Sequence, residues 1–261
     1  MKKCPSCGTI NGNANFCGQC GASLVQARTL DPSEAAVAGT PTPHATSPAT
    51  PTAAAPTATS AASPAATASA APLNLMDIAR AFKGFNVEKN PDGKTYTLVG
   101  VKDKNIDKAT IPDGVTIIRT AAFRECNNLT TVILPDGVTI IGAGAFYQCS
   151  NLATVILPDS VEIIEKEAFY GCTKLSSITI PRNLKHIGPC AFALCDSLRQ
   201  LDFQASLETI CIGAFSHCRS LTRISIPESV TVIGQGAFNG CTALTEVYAP
   251  PRFMDAFLNI G

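Results

Sequence analysis

Four cysteines near the amino terminus are spaced for metal chemistry. They form two Cys-x-x-Cys-Gly knuckles, at Cys4, Cys7, Cys17 and Cys20, with nine residues between Cys7 and Cys17. Each knuckle places two thiolates on one turn, and the glycine after it can adopt the positive φ that directs backbone N–H groups at sulfur. We therefore predict that these thiolates bind one Zn²⁺ ion. Because a site with four cysteine ligands is closed, its role is structural and not catalytic.

The segment that carries these cysteines has little else with which to fold. Ile10, Phe16 and Leu24 are its main apolar side chains, so metal binding would supply the folding energy. The alternatives are a redox dithiol pair and two disulfides. The pattern resembles the small amino-terminal zinc ribbons of bacterial proteins. Because only Lys2 and Lys3 are basic here, we expect such a ribbon to contact protein and not nucleic acid.

Eight further cysteines raise the possibility of a reactive thiol. Six of them recur in one column of a repeat and suit small buried apolar side chains. Cys190 and Cys211 leave that column, His186 lies four residues before Cys190, and His217 lies beside Cys218. A thiol-dependent enzyme or a second metal site is therefore an alternative hypothesis. Because no third residue is placed to orient a Cys–His pair, and no known catalytic motif appears, we predict a protein without enzymatic activity.

A 23-residue repeat organises most of the remaining chain. Phe, Cys and Leu each recur at this interval, as do an Ala before each Phe and an Ile four residues before that Ala. One such unit cannot bury its apolar side chains alone, so the fixed period predicts a solenoid of stacked units. The three main columns are Phe123, Phe146, Phe169, Phe192, Phe215 and Phe238; Cys126, Cys149, Cys172, Cys195, Cys218 and Cys241; and Leu129, Leu152, Leu175, Leu198, Leu221 and Leu244.

Each repeat combines an extended run with a compact turn. Leu129 begins a run with alternating apolar residues, and Pro135 ends it because proline cannot donate to a strand ladder. The segment from Ala145 to Cys149 has the spacing of one helical turn. We predict a repeat solenoid of the α/β type, with a parallel sheet on one side and short helical turns on the other.

The segment from Ile141 to Val161, IGAGAFYQCSNLATVILPDSV, resembles the leucine-rich repeats of the BspA-like (type 5) class. Members of this class occur in many bacterial and protist surface proteins. The resemblance covers about half of the chain. It implies a curved solenoid that binds proteins or matrix and has no chemistry of its own.

Composition divides the chain into five regions. Residues 1–24 form the predicted zinc ribbon, and residues 25–72, rich in Ala, Pro, Thr and Ser, form a disordered linker. Residues 73–110 form an amino-terminal cap for the solenoid, which occupies residues 111–250. Residues 251–261 form its carboxyl-terminal cap.

Charge and hydropathy exclude several classes of function. The 261 residues include 20 Lys or Arg and 20 Asp or Glu, and this neutrality argues against nucleic-acid and membrane-surface binding. No stretch approaches the roughly 18 apolar residues of a membrane span. Because no apolar run follows Lys2 and Lys3, we predict a cytoplasmic protein. Display at the cell surface is the alternative that the family resemblance implies.

Outward-facing residues of the solenoid are the candidates for partner binding, because they are free to vary from repeat to repeat. Two columns alternate with the core on the main strand of each repeat. Their members are Thr131, Ile133, Thr154, Ile156, Ser177, Thr179, Gln200, Asp202, Arg223, Ser225, Glu246 and Tyr248. A further outward column begins with Ile117, Ile140 and Ile163, which could form an interface or pack under the cap.

The function hypothesis is a cytoplasmic interaction module. Its solenoid binds a protein partner, and the tethered ribbon contacts a second site, so that two weak contacts on one chain gain avidity. The alternative is a surface adhesin or antigen, as the family resemblance implies.

Overall fold

The computed structural model describes residues 82–257 and two short strands before them, β1 (Lys2–Lys3) and β2 (Ile10–Asn11), which pair antiparallel. The predicted zinc ligands Cys4, Cys7, Cys17 and Cys20 and the predicted linker at 25–72 lie outside the described residues.

Residues 82–257 form a solenoid of short strands and turns. The strands are β3 (Phe85–Lys89), β4 (Tyr96–Val101), β5 (Lys108–Thr110), β6 (Val115–Ile118), β7 (Thr131–Ile133), β8 (Ile140–Ile141), β9 (Thr154–Ile156), β10 (Ile163–Ile164), β11 (Ser177–Ile178), β12 (His186–Ile187), β13 (Gln200–Asp202), β14 (Thr209–Ile210), β15 (Arg223–Ser225), β16 (Val232–Ile233) and β17 (Glu246–Tyr248). A 3₁₀ helix at Pro251–Phe257 follows β17.

Two series of strands alternate along the solenoid. The odd-numbered strands from β5 to β17 are the principal strands, and the even-numbered strands from β4 to β16 form the second sheet. Apart from β3 and β4, the strands that pair run parallel and join equivalent residues of neighbouring repeats, 23 residues apart, as Val132 and Val155 do. The first strand pair differs, since β3 and β4 form an antiparallel hairpin that closes the second sheet.

The core consists of the repeated columns. The six repeat Phe side chains are at most 1% exposed, and their rings stack with centroids 4.9 to 5.6 Å apart. The six column cysteines are equally buried. The predicted core is therefore confirmed. Leu244 in the last repeat is only partly buried, whereas its five counterparts are fully buried, because no further repeat covers it.

The segment around each Phe differs from the helical turn that its spacing predicts. Arg124 donates its N–H to the carbonyl of Ala121 at 3.1 Å, which is a turn bond, but the N–H of Phe123 points along the solenoid to Ala145 of the next repeat at 2.7 Å. Alternate N–H groups thus bond within the turn and between repeats. We call this side of the solenoid the turn side.

Left-handed backbone conformations explain this alternation. Two residues of every turn have φ between 52° and 73°, which reverses the peptide direction and ends any α-helix. They are Ala121, Gly144, Glu167, Cys190, Gly213 and Gly236 in one column and Glu125, Gln148, Gly171, Leu194, His217 and Gly240 in the other. A regular α-helix therefore does not form, and alternate N–H groups of the turn side make a ladder of hydrogen bonds along the solenoid.

The principal strands do not form one continuous sheet. Strands β5, β7, β9 and β11 make a four-stranded sheet and β13, β15 and β17 a three-stranded one, with no pairing between β11 and β13. Thr179 shortens β11 on its other side, facing β9, because its hydroxyl and not its carbonyl receives the N–H of Leu157, at 2.7 Å. Phe203 stands where other repeats have smaller residues such as Leu157 and Ile226, and its ring packs 5.8 Å from Phe215.

The 3₁₀ helix covers the last repeat. The Phe257 ring stacks on Phe238 with centroids 4.9 Å apart and so takes the place that a further repeat would fill. Arg252 fixes the helix by donating to the carbonyls of Glu228 and Val230 at 2.7 and 3.0 Å.

Candidate partner-binding face

The first half of the predicted face is apolar and contains hydroxyl groups. Ile133 and Ile156 are paired neighbours on β7 and β9, and they are 39% and 42% exposed. Thr131 and Thr154 lie beside them, half-buried and also in register. Because the strands are only about 4.8 Å apart, the two isoleucines present one small contiguous apolar surface to solvent.

The centre of the face contains the sheet interruption. Ser177 continues the Thr131 column on β11, and its side chain is exposed. Thr179 is exposed as well, but its hydroxyl is engaged with both the N–H and the carbonyl of Leu157, at 2.7 and 2.9 Å. Ile178, which faces the core, is only partly buried at this break.

The second half of the face is charged and aromatic. Arg223 lies in the middle, with its Nε 3.6 Å from an oxygen of Asp202 and its guanidinium carbon 5.2 Å from the centroid of the Tyr248 ring. Tyr248 is 56% exposed. Strand pairing aligns Gln200, Arg223 and Glu246 in one row and Asp202, Ser225 and Tyr248 in the other.

All twelve predicted face residues lie on the outer side of the principal strands, and none is buried. They are divided between two sheets instead of lying on one. Whether they bind a partner is a prediction that the geometry leaves open to experiment.

The further outward column lies on the outer side of the second sheet. Ile117, Ile140 and Ile163 are half-buried there, in register with each other. His186 and Thr209 continue the column and are almost fully buried, at 3% and 2% exposed. This column is therefore less accessible than the face on the principal strands.

The thiols of the repeat column are engaged within the core. Five of them donate to the carbonyl of the Phe one repeat earlier, as Cys149 does to Phe123 at 2.9 Å, with the others between 3.1 and 3.2 Å. Burial raises the pKa of Cys149 to about 12. Burial likewise raises the pKa of Cys126, Cys172, Cys195 and Cys218, so these thiols stay protonated at neutral pH. In the last repeat a hydrogen bond with Cys218 lowers the pKa of Cys241, which is equally buried.

The structure brings His186 close to Cys211, and not to Cys190, its neighbour in sequence. Nε2 of His186 lies 3.7 Å from Sγ of Cys211, and the two side chains are 3% and 0% exposed. Burial lowers the pKa of His186 to about 4, so its ring is neutral at neutral pH. Because a nucleophilic thiol must reach its substrate, this enclosed pair does not form an active site.

The other candidate thiol also lacks activation. Burial, together with the negative charge of Glu167, raises the pKa of the half-buried Cys190. Its thiolate fraction at neutral pH is therefore below that of free cysteine. His217 is exposed on the turn side, while its neighbour Cys218 is buried in the core, so these two side chains face opposite ways.

A hollow of about 480 Å³ lies between the last repeat and the 3₁₀ helix. It is lined by Ile233, Gly234, Gln235, Gly236, Asn239, Asp255 and Ala256, so Asp255 is its single titratable side chain. Within residues 82–257, no group of three His, Cys, Asp or Glu side chains is placed to hold a metal ion. A helix long and apolar enough to cross a membrane is likewise absent from that part of the chain.

One outward feature of the turn side, a stack of three side chains, was not predicted from the sequence. Arg124, Tyr147 and Tyr170, each the residue after a core Phe, stack on one another on the turn side. The available signal was a tyrosine that recurs after 23 residues.

Comparison with known proteins identifies relatives of the solenoid. Residues 101–218 and 162–257 match the BspA type leucine rich repeat region, in six copies. A leucine-rich repeat protein of T. pallidum is 33% identical, with 64% of this chain and 79% of that chain covered and a TM-score of 0.61. One from Bacteroides ovatus ATCC 8483 is 30% identical, with 64% and 46% covered and a TM-score of 0.58, so the match spans less than half of that protein. The comparison with curated proteins finds no match.

Proposed function

Because the chain belongs to the BspA-type leucine-rich repeat family, we propose that it is a non-enzymatic interaction module whose solenoid binds a protein partner through the outer face of its principal strands. The observation that carries the proposal is the contrast between columns. The core columns repeat Phe and Cys without change, while the face columns change from repeat to repeat and remain accessible. Side chains free of a packing role are the ones that recognition can use.

The chemistry of the face indicates what it would contact. Ile133 and Ile156 suit an apolar side chain of the partner, because contact would remove their exposed surface from water. Arg223 and Tyr248 suit the centre of a protein interface, where these two residue types are enriched. A partner that spans the face would therefore contact both halves and cross the break between β11 and β13.

We also propose that Cys4, Cys7, Cys17 and Cys20 bind one structural Zn²⁺ and that the resulting ribbon makes a second contact. The sequence pattern supports this part of the proposal. A linker of residues 25–72 would span on the order of 40 Å, which allows both ends of the chain to engage one assembly.

The thiol bonds of the core support a reducing compartment, and we propose the cytoplasm. Five core cysteines donate S–H hydrogen bonds, which requires them to be reduced. Cell fractionation separates this location from surface display, since protein in the surface fraction would contradict it.

The experiment is affinity capture from native cell lysate, followed by mass spectrometry, with four forms of the full chain. They are the wild type, Ile133→Asp/Ile156→Asp, Cys4→Ser/Cys7→Ser, and a control, Thr139→Glu/Thr231→Glu. The control adds two negative charges on the second sheet, in the column where Glu162 and Glu208 already stand.

We expect the Ile133→Asp/Ile156→Asp form to lose a partner that the wild type and the control retain. A carboxylate inside an apolar contact is left without its water, and this desolvation weakens binding. Loss of a partner with the Cys4→Ser/Cys7→Ser form alone would assign recognition to the ribbon. Capture of the same partners by all four forms would contradict both proposed contacts, the one at Ile133 and Ile156 and the one made by the ribbon.

A further inference from the structure

The turn side of the solenoid carries a ladder of backbone hydrogen bonds between repeats. Each of the first five repeats donates three N–H groups, from alternate residues, to carbonyls of the next repeat at 2.7 to 3.2 Å. The sixth repeat has no full repeat after it to supply such carbonyls. In the fifth repeat the donors are Gly213, Phe215 and His217, and the acceptors are Gln235, Ala237 and Asn239.

Three N–H groups of the sixth repeat therefore end the ladder. They belong to Gly236, Phe238 and Gly240, and none of them has an acceptor within residues 82–257. Gly236 and Gly240 have φ of 62° and 73°, as in the earlier repeats, so these N–H groups point along the solenoid, beyond its last repeat. Phe238 is only 1% exposed, so water has almost no access to its N–H. Because a buried N–H without an acceptor is costly, an acceptor group from another molecule would stabilise this end.

The hollow beside the 3₁₀ helix lies next to these donors. Its volume of about 480 Å³ is that of a small-ligand site. The last turn contributes Gly236 and Asn239 to its lining, and the 3₁₀ helix contributes Asp255 and Ala256. Because Gly236 both ends the ladder and lines the hollow, a group bound in the hollow can accept its N–H.

The earlier repeats show which group suits these donors. Every acceptor along the ladder is a peptide carbonyl, and successive acceptors are two residues apart. A peptide segment of a partner offers carbonyls at the same interval. Its own N–H groups can donate to the side-chain amides of Gln235 and Asn239, which also line the hollow.

The charge of the hollow narrows the choice of peptide. Asp255 is the single titratable side chain in its lining, and it is exposed. Arg252, the nearest basic residue in sequence, pairs with Glu228 instead, at 2.8 Å. The negative charge of Asp255 repels a phosphate or carboxylate ligand and attracts a basic side chain. The site therefore suits a peptide that carries lysine or arginine, and not a free anion.

We propose that this hollow binds a basic peptide segment of a partner protein. Backbone carbonyls of the peptide accept the N–H groups of Gly236 and Phe238, and its lysine or arginine pairs with Asp255. The site lies at the carboxyl-terminal end of the solenoid, apart from the face on the principal strands. Ile133 and Ile156 take no part in it, so each proposal can fail without the other.

The test uses the ¹⁵N-labelled full chain and two blocked tetrapeptides, Ala-Lys-Ala-Ala and Ala-Glu-Ala-Ala. Each is titrated into the protein while the backbone amide signals are followed by NMR. We expect the lysine peptide to shift the amide protons of Gly236 and Phe238 saturably, and to bind at least about threefold more tightly than the glutamate peptide. The equivalent amides of the fifth repeat, Gly213 and Phe215, already have acceptors and should not shift.

Two further probes separate the parts of the site. Butylammonium carries the charge of lysine without a peptide carbonyl, so it should leave the Phe238 signal in place. Inorganic phosphate offers acceptor oxygens together with negative charge, and it should bind more weakly than the lysine peptide because Asp255 repels it.

Variants test the charge and the space. Asp255→Asn should weaken binding of the lysine peptide by about threefold and should not weaken binding of the glutamate peptide. Ala256→Trp places a large ring at the hollow and should weaken binding of both peptides by about fivefold or more. Asp136→Asn is the matched control, because it removes an equal charge from an exposed turn after β7, and it should leave both affinities unchanged. A urea melt of each variant checks that the solenoid is intact.

Absence of a saturable shift at Gly236 and Phe238, equal affinity of the two peptides, or unchanged affinity in Asp255→Asn would overturn the proposal. So would binding of phosphate as tight as that of the lysine peptide, which would make the hollow an anion site. Shifts of the same signals with protein concentration alone would assign the hollow to a second copy of the chain and would overturn the proposal as well.

Discussion

The turn side and the principal-strand side of the solenoid are built on the same 23-residue period but differ in continuity. On the turn side, the Phe stack runs from Phe123 to Phe238 with ring spacings of 4.9 to 5.6 Å, and Phe257 extends it. On the principal-strand side, the sheet is interrupted between β11 and β13. The principal-strand side therefore contains an interruption, whereas the Phe stack on the turn side is continuous.

This difference indicates where the specificity of the fold resides. Each turn contributes a buried Phe, a buried Cys and bonds to both neighbouring repeats, so a change there affects three repeats at once. Each principal strand contributes two or three residues, of which only alternate side chains enter the core. The turn side holds the repeats in register, and the principal strands are left free to vary.

The largest expected effect comes from a substitution that creates a cavity on the turn side. Phe169→Ala should destabilise the protein by about 3 to 5 kcal/mol, because it empties a fully buried site between two stacked rings. Phe238→Ala should cost less, since a 3₁₀ helix covers it in place of a full repeat. Ile133→Ala on the exposed face should change the free energy of unfolding by about 0.5 kcal/mol or less. Urea melts measure all three, and equal losses at 169 and 238 would contradict the stacked model.

A second experiment uses pH to examine the second sheet, which is as continuous as the turn side. Buried His186 has a pKa of about 4 when folded and an ordinary pKa of 6.5 when unfolded. As pH falls from 6.5 to 4, His186 becomes protonated in the unfolded chain but stays mostly neutral in the folded one. The free energy of unfolding therefore decreases by about 3 kcal/mol. Above about pH 7.5, where both states hold the neutral ring, this group contributes no pH dependence.

His186→Ile is the matched variant, because Ile140 and Ile163 occupy the same column. Melts between pH 7 and pH 4 should show a smaller loss in this variant than in the wild type, with the carboxylates common to both. Parallel stability curves for the two proteins would show that His186 titrates normally.

The sequence predicts the solenoid and its core, because Phe, Cys and Leu at fixed intervals leave few ways to bury them. It does not reveal the left-handed turns, since Glu167, Cys190 and Leu194 are residue types that rarely adopt positive φ and carry no signal for it. The short length of β11 depends on where one hydroxyl bonds, that of Thr179, and no periodicity records such a contact. The face columns were predictable because strand residues alternate between core and solvent.

The short length of β11 can be tested by removing its local cause. Thr179→Val keeps the shape of the side chain but not the hydroxyl, so the N–H of Leu157 loses its partner unless the carbonyl of residue 179 replaces it, as the carbonyl of Ile156 does for Leu134. We expect β11 to lengthen by one residue along β9 and the Leu157 amide to stay slow to exchange, with a net change in stability of about 1 kcal/mol or less. Faster exchange at Leu157 would show that the strand bond does not form.

The smallest effect concerns the backbone of the turn side. Gly171 has φ of 70°, and an added Cβ would lie 3.3 Å from Cγ of Gln148. Gly171→Ala should therefore destabilise the protein by about 1 kcal/mol. Gln148→Ala, at a position of the same column that already carries a side chain, is the control and should cost less in the same thermal melts. A gain in stability for Gly171→Ala would mean that the left-handed column is not strained.

The hydrogen bonds between turns have a consequence for how such a chain can change over generations. Every repeat accepts hydrogen bonds from the previous repeat through its carbonyls and donates the equivalent bonds to the next repeat through its N–H groups, as the Ala145 carbonyl does with Phe123 and the Phe146 N–H does with Ala168. Loss or duplication of 23 codons in frame therefore rejoins two compatible surfaces. The outer face of the principal strands can lengthen or shorten by unequal recombination while the rest of the gene keeps its reading frame and the protein keeps its fold.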